Sequence, residues 1–368
     1  MLKKMLTVLV VIAILLGISA TCIITMPDFG RLPQAERLKL LNASPHFADG
    51  TFVSPESTQT HLKKSFLASM YSFLFESKRE LEPRTPLPTQ KTDLKTLDPA
   101  ENLIVWMGHS SFYLQLGGKR ILVDPIFSGH ASPFSFMIRS FKGSDVYTAD
   151  DLPPVDLLLI SHDHWDHLDY GTVKALENKV GKVLTGLGVG EHFEYWGYPK
   201  GKIFEKDWYA PPLELGDLKI HITPARHFSG RFLKRNPTLP VSFVIESPKF
   251  KLFYSGDSAF GKHFAQIREK YGPMDFAVME DGQYNKQWHF VHMYPEEMIE
   301  ASLILETKHV MPVHNSKFIL SEHRWDEPLQ RADIAARQKG IMLSTPVIGE
   351  SVKLQNPQTE NEWWKKIH

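Results

Sequence analysis

The most restrictive feature of the sequence is seven residues long. Ser161-His162-Asp163-His164-Trp165-Asp166-His167 follows directly on the apolar run Val155 to Ile160, which has the length and character of a buried strand. Three histidines and two aspartates in six residues belong where those side chains can converge, at the edge of a core to which a strand delivers them. On a continuing strand, residues two apart share a face, so His162 and His164 can point at one ion. Once the chain turns, Asp166 and His167 can face a second. Imidazole and carboxylate at such spacing suit Zn²⁺ ahead of Fe or Mn. A histidine-rich surface turn is the competing reading, and so dense a cluster disfavours it.

Any metal must be held by nitrogen and oxygen. The 368 residues include one cysteine, Cys22, which excludes an intrachain disulfide, Cys₄ and Cys₂His₂ zinc sites, iron–sulfur clusters and paired-thiol redox chemistry. Lys+Arg and Asp+Glu balance at 42 each, which argues against a nucleic-acid binder. Apolar residues make up 42%, enough for one large domain or two ordinary ones with a real core.

Zinc takes about four ligands, so the loop needs partners. Three candidates each end an apolar strand beside small or turn-forming residues: His227 in Thr223-Pro224-Ala225-Arg226-His227, Asp257 in Tyr254-Ser255-Gly256-Asp257, and His314 in Met311-Pro312-Val313-His314. A weak internal symmetry is also visible. One hairpin ends in Val123-Asp124-Pro125 and another in Ser255-Gly256-Asp257, each with an aspartate just past the strand.

The chain divides into three stretches. Residues 1–27 read as a transmembrane anchor: behind Lys3 and Lys4, the uncharged run Met5 to Pro27 would span roughly 34 Å as a helix. With the lysines inside, the catalytic domain lies outside the cytoplasm. The alternative is a signal peptide cleaved near Gly17-Ile18-Ser19-Ala20, giving a secreted or periplasmic protein, but Ile18 sits where a small residue is wanted. Residues 28–95 read as a connector. It holds a helix over Pro55 to Glu76, with Leu62, Phe66, Met70, Phe73 and Leu74 at helical spacing, a stripe that either packs on the main domain or faces membrane or acyl chains. Residues 96–368 form the main domain. Strands are expected at Leu103–Met107, Phe112–Leu116, Lys119–Val123, Val155–Ile160, Lys219–Thr223, Val241–Glu246 and Phe250–Tyr254, and helices at Tyr170–Lys179, Lys262–Tyr271 and Pro295–Glu306.

The order of an aspartate after a strand, His-x-His-x-Asp-His, a histidine, an aspartate and a final histidine resembles the metallo-β-lactamase superfamily of hydrolases. Within it, the chain is similar to bacterial relatives of the phospholipase D that hydrolyses N-acylphosphatidylethanolamine. That branch is indicated by Trp106-Met107-Gly108-His109-Ser110-Ser111, Asp124-Pro125-Ile126-Phe127, Ala225-Arg226-His227-Phe228 followed by Arg235-Asn236, His292 ahead of Pro295-Glu296-Glu297, and Phe29-Gly30-Arg31-Leu32-Pro33.

The resemblance implies an α/β (α+β) fold, a four-layer αββα sandwich behind an N-terminal transmembrane helix. It implies two zinc ions: His162, His164 and His227 on the first, Asp166, His167 and His314 on the second, and Asp257 bridging. Asp124 would support the site without binding metal. A hydroxide shared by the ions would be the nucleophile, with Asp166 orienting it and His292 and His109 as candidates to contact substrate or protonate the leaving group. The implied activity is a zinc-dependent phosphodiesterase of phospholipase D type, with the membrane and a phospholipid as partners. A lactonase or sugar-phosphate hydrolase and a non-catalytic membrane-tethered metal or lipid sensor are the alternatives. The loop Ser128 to Tyr147, with Phe134, Phe136, Met137 and Phe141, reads either as a lid or as an apolar flap.

Overall fold

The structure, a computed structural model, describes residues 4–6, 9, 11–12, 21–60, 80–231, 234–357 and 362–367. Helix α1 (Ala35–Asn42) and a small hairpin, β1 (Phe47–Ala48) and β2 (Thr51–Phe52), come before the two main sheets. The first half then supplies β3 (Leu103–Trp106), β4 (Phe112–Leu116), β5 (Lys119–Val123), β6 (Val155–Ile160), α2 (Tyr170–Leu176), β7 (Val180–Gly186), α3 (Gly190–Tyr195) and β8 (Ile203–Lys206). The second half supplies β9 (Leu213–Leu215), β10 (Leu218–Pro224), β11 (Val241–Ser247), β12 (Phe250–Tyr254), α4 (His263–Tyr271), β13 (Phe276–Glu280), α5 (Pro295–Ile304), β14 (His309–Val313), α6 (Glu327–Lys339) and β15 (Met342–Leu343). Finally β16 (Ser351–Lys353) returns to the first sheet.

Both sheets have seven strands, ordered β16-β3-β4-β5-β6-β7-β8 and β15-β14-β13-β12-β11-β10-β9. Each follows one plan. Antiparallel hairpins give way to parallel strands, β5 to β8 in the first sheet and β12 to β15 in the second. The β4–β5 hairpin turns at Gly117-Gly118, where both residues take positive φ, 56° and 71°, as a two-residue hairpin turn of the favoured hand requires.

Alternation along the strands builds four layers. In β6, Leu157 and Leu159 enter the core between the sheets, where they share a cluster with Ile220, Phe243 and Val278. Leu158 and Ile160 point the other way, against Val173, Leu176 and Phe193 of α2 and α3. Phe253, Ala277 and Val310 meet Phe264, Met298 and Ala332 of α4, α5 and α6 on the far side of the second sheet. The result is the expected αββα sandwich.

Leu41, Phe52 and Leu87, from the stretch expected to be connector, lie in the core between the sheets. Of the helix expected over Pro55–Glu76, residues 55–60 are irregular and 61–76 fall outside the described residues. Most of the expected membrane anchor also falls outside them, and among the described residues no helix is long and apolar enough to cross a membrane. Phe141 is buried between the sheets while Phe136, on the same loop, is 75% exposed, so that loop is part flap and part surface.

Candidate metal centre

The strand directions place every sequence candidate at one edge of the sandwich. His109 follows β3, Asp124 follows β5, the histidine-rich loop follows β6, His227 follows β10, Asp257 follows β12 and His314 follows β14, and the carboxyl ends of such strands are where ligands sit. Three of these residues hold positive φ without being glycine: His109 at 53°, Asp124 at 39° and His314 at 67°. Backbone strain of this kind gathers at functional sites, held by the surrounding fold.

Two clusters form. In the first, His162 Nε2 lies 2.8 Å from His164 Nδ1, which lies 3.2 Å from His227 Nε2. The remaining nitrogens are held from behind, His227 Nδ1 donating to the Val291 carbonyl at 2.8 Å and His162 Nδ1 facing Ser161 Oγ at 3.0 Å. In the second, ligand atoms of His109, Asp166, His167 and His314 gather within 4.8 Å of one another. Asp257 stands between them. Its Oδ1 is 3.0 Å from His167 Nε2 and 3.2 Å from His314 Nδ1, and its Oδ2 is 3.8 Å from both His162 Nε2 and His227 Nε2.

The donor set fits a pair of divalent ions. His167 Nε2 and Asp257 Oδ1 are buried 3.0 Å apart but, among the described residues, make no well-aligned hydrogen bond, as suits atoms that converge on a cation. Burial, reinforced by the neighbouring imidazoles, holds His162, His227 and His314 well below the ordinary histidine range and, against the pull of Asp166 and Asp163, brings His164 to about 4. These rings are neutral and offer lone pairs. Burial also opposes charge on His167, yet Asp257 and Asp166 lift it well above its usual range. The carboxylates thus attract positive charge to the point where a metal would supply it.

Asp124 is saturated. Its Oδ1 accepts from the Ser161 amide at 2.8 Å, and its Oδ2 meets Ser161 Oγ at 2.6 Å, the Tyr254 hydroxyl at 2.6 Å and His167 Nδ1 at 2.8 Å. Four donors hold it, and it fixes the face His167 presents, as such outer partners do.

A cleft of about 340 Å³ opens onto the clusters and is lined by His164, Asp166, His227, Asp257, His292 and His314. His292 is on its wall, with Nδ1 2.8 Å from Glu280 Oε2. His109 is not: it is fully buried behind Asp166, with Nε2 2.9 Å from Asp166 Oδ2, so it meets a candidate ligand rather than the cleft. Glu280 was not foreseen. It is fully buried, and its Oε1 accepts the Ser258 and Met293 amides at 3.0 Å each. The signal was available, because Glu280 ends β13 in the second sheet much as Asp124 ends its hairpin in the first. Asn315 donates to the buried Asp281 at 2.7 Å and does not line the cleft, whereas Gln283 does.

Residues 119–315 match the family described as the beta-lactamase superfamily domain. A protein of Mycobacterium tuberculosis is 35% identical over 328 residues, 88% of each chain. The mitochondrial N-acyl-phosphatidylethanolamine-hydrolyzing phospholipase D of Saccharomyces cerevisiae is 31% identical over 261 residues, 64% of this chain and 52% of the yeast one. Among solved structures, a metallo hydrolase of Ignicoccus hospitalis shares the fold with a TM-score of 0.53 at 19% identity, covering 69% of this chain and 98% of that one. Sequence match, sandwich and paired His/Asp clusters agree, and the chain belongs to the β-lactamase superfamily as a metal-dependent hydrolase.

Proposed function

We propose that the protein is a zinc-dependent phosphodiesterase of phospholipase D type that acts on N-acylphosphatidylethanolamine or a related phospholipid. The observation that carries the anionic substrate is Arg235. Its guanidinium lies 3.9 Å over the Phe228 ring in the cleft wall. It donates to the Thr58 carbonyl at 2.8 Å, and among the described residues no carboxylate lies within ion-pair distance of it. A cation with no counter-charge among the described residues, lining a hydrolytic cleft, is a place for an anionic oxygen.

The cleft is small for a ligand pocket, so it takes the headgroup and the first carbons while the chains stay outside. Phe228, Trp288, Val291 and Leu320 provide an apolar wall for those carbons. His162, His164 and His227 would hold one zinc, Asp166, His167 and His314 the other, and Asp257 would serve both. Ions so held supply Lewis acidity and lower the pKa of water toward ~7. The side chains do the rest. Asp166, steadied by His109, accepts a hydrogen bond from the attacking water. His292, with Nδ1 committed to Glu280, presents Nε2 to the leaving oxygen. The run Met5 to Pro27 would keep the domain at a membrane, outside the cytoplasm.

The test is direct. Pure zinc-loaded protein in detergent, given N-acylphosphatidylethanolamine, is expected to release phosphatidic acid and an N-acylethanolamine. Release of neither, with turnover of soluble lactones or sugar phosphates instead, sinks the reading. The modest cleft volume is what makes that second class of substrate the serious competitor.

A further inference from the structure

The histidine-rich loop is clamped from behind by a segment more than 130 residues earlier in the chain. Phe29 packs edge-on against Trp165 with ring centroids 5.2 Å apart. Arg231, only 5% exposed, lies on the Trp165 ring at 4.0 Å and ties three backbone points together. It donates to the Asp28 carbonyl at 2.7 and 3.0 Å, to Asp163 O at 3.0 Å and to Leu168 O at 2.6 Å. The last two points lie within the loop and just past its end.

A relay runs beside it. The Arg31 amide donates to His192 Nδ1 at 3.1 Å, so that nitrogen is the acceptor and the ring proton is on Nε2. His192 Nε2 faces Asp163 Oδ2 at 3.3 Å, and Asp163 Oδ1 accepts the Gly230 amide at 2.7 Å. Gly30 makes this seating possible. It holds φ 65° and ψ −150°, a region essentially restricted to glycine, and a Cβ there would stand 2.9 Å from His192 Cε1 and Cγ and overlap Nδ1. The segment is fastened on both sides of this point. The Pro27 carbonyl accepts from Trp196 Nε1 at 2.8 Å. Arg31 and Arg37 share the buried Glu191 at 2.6 and 2.7 Å, and Arg37 also reaches Glu205 at 2.5 Å.

We propose that Pro27–Arg37 is a working part of the metal centre, positioning the loop that carries His162, His164, Asp166 and His167 through the contacts Gly30–His192–Asp163 and Phe29–Trp165. None of these residues meets the metal or the substrate; each acts through the loop. The loop's conformation decides whether four ligand atoms converge, so a disturbance at Gly30 is expected to be felt as metal affinity, which outer supports of metal ligands change by roughly 10–100-fold.

Metal uptake is read without any substrate, so the outcome is independent of the phospholipase reading. Cobalt(II) is titrated into the full-length apo chain and followed by its visible spectrum. Gly30→Ala is expected to weaken cobalt binding by roughly tenfold or more and to change the band envelope. Because Gly30→Ala could also impair folding, a matched pair is included. His192→Phe keeps the ring stack on Trp196 but loses both nitrogens; His192→Gln keeps an amide donor for Asp163. The phenylalanine variant is expected to bind cobalt as poorly as Gly30→Ala, and the glutamine variant to recover most of the affinity. Equal affinity and identical spectra for His192→Phe and the parent chain would overturn the proposal, and so would equal losses in the phenylalanine and glutamine variants.

Discussion

Arg235 and His292 line the same cleft, and the proposed function gives them separable tasks. Replacing Arg235 by methionine keeps the contact with Phe228 and removes the charge. It is expected to lower kcat/KM for an anionic phosphodiester by about 10–100-fold, mainly through KM, the range for a charge-assisted contact. Lysine at this position restores only part, since a point charge lacks the planar fork and the stack. Steady-state kinetics on the three proteins decide this, and equal KM values would contradict it. His292→Asn and Glu280→Gln act on the departing group instead. The expected signature is a kcat loss of about 10²–10³-fold with an alkoxide leaving group and a much smaller one with p-nitrophenolate, which leaves without a proton. Equal losses with both leaving groups would remove His292 from that role.

Asp124 joins elements that share no ladder, since it pins Ser161 beyond β6 and Tyr254 of β12 across the two sheets. Asp124→Ala strands four donors in a dry interior. It is expected to destabilise the fold by roughly 2–4 kcal/mol, measured by urea unfolding, whereas Tyr254→Phe costs about 1 kcal/mol. The hairpins around this carboxylate were legible in the sequence. β4, β5, β6 and β12 span the expected residues, because alternation and flanking turn residues agree there. β14 was harder to read, because Pro312 lies within it and proline is foreign to central strands. The structure supplies the reason: β15 pairs only with His309 and Val310, so by Pro312 the strand has an open edge. Helix α3 has six residues and begins with glycine, so its helicity comes from tertiary packing rather than propensity. The His/Asp clustering could be anticipated because such a cluster leaves a compact signature in sequence. The buried contacts of Glu280 and of the Phe29–Pro33 motif were harder to read, because they depend on residues that only the fold brings near.

At the scale of the molecule, the metal centre ties both sheets together, so binding energy there adds to folding stability. Chelation of the holo-protein is expected to lower Tm, and re-addition of zinc to restore it in proportion to the logarithm of free zinc; a Tm indifferent to chelator would contradict this. A second whole-molecule effect is alkaline. The Tyr147 hydroxyl holds Thr92 O at 3.0 Å and Gly349 O at 3.3 Å, and burial pushes its pKa from 10 up to about 12. A group raised on folding gives stability that is intact below its unfolded value and lost as pH climbs through its folded one. Stability is therefore expected to fall between pH 10 and 12, and less steeply in Tyr147→Phe, as followed by Tm against pH. The return of β16 bears on how the protein is made. Val352 and Leu354 sit in the core between the sheets with Trp363 and Trp364, and residues 351–353 pair with β3. Until the ribosome has released that stretch, Leu103-Ile104-Val105-Trp106 is an open, wholly apolar strand edge, the kind that seeds aggregation. Some 250 residues of synthesis separate the strand from its cover, so in the growing chain that edge stays open until almost all of the second sheet has been made.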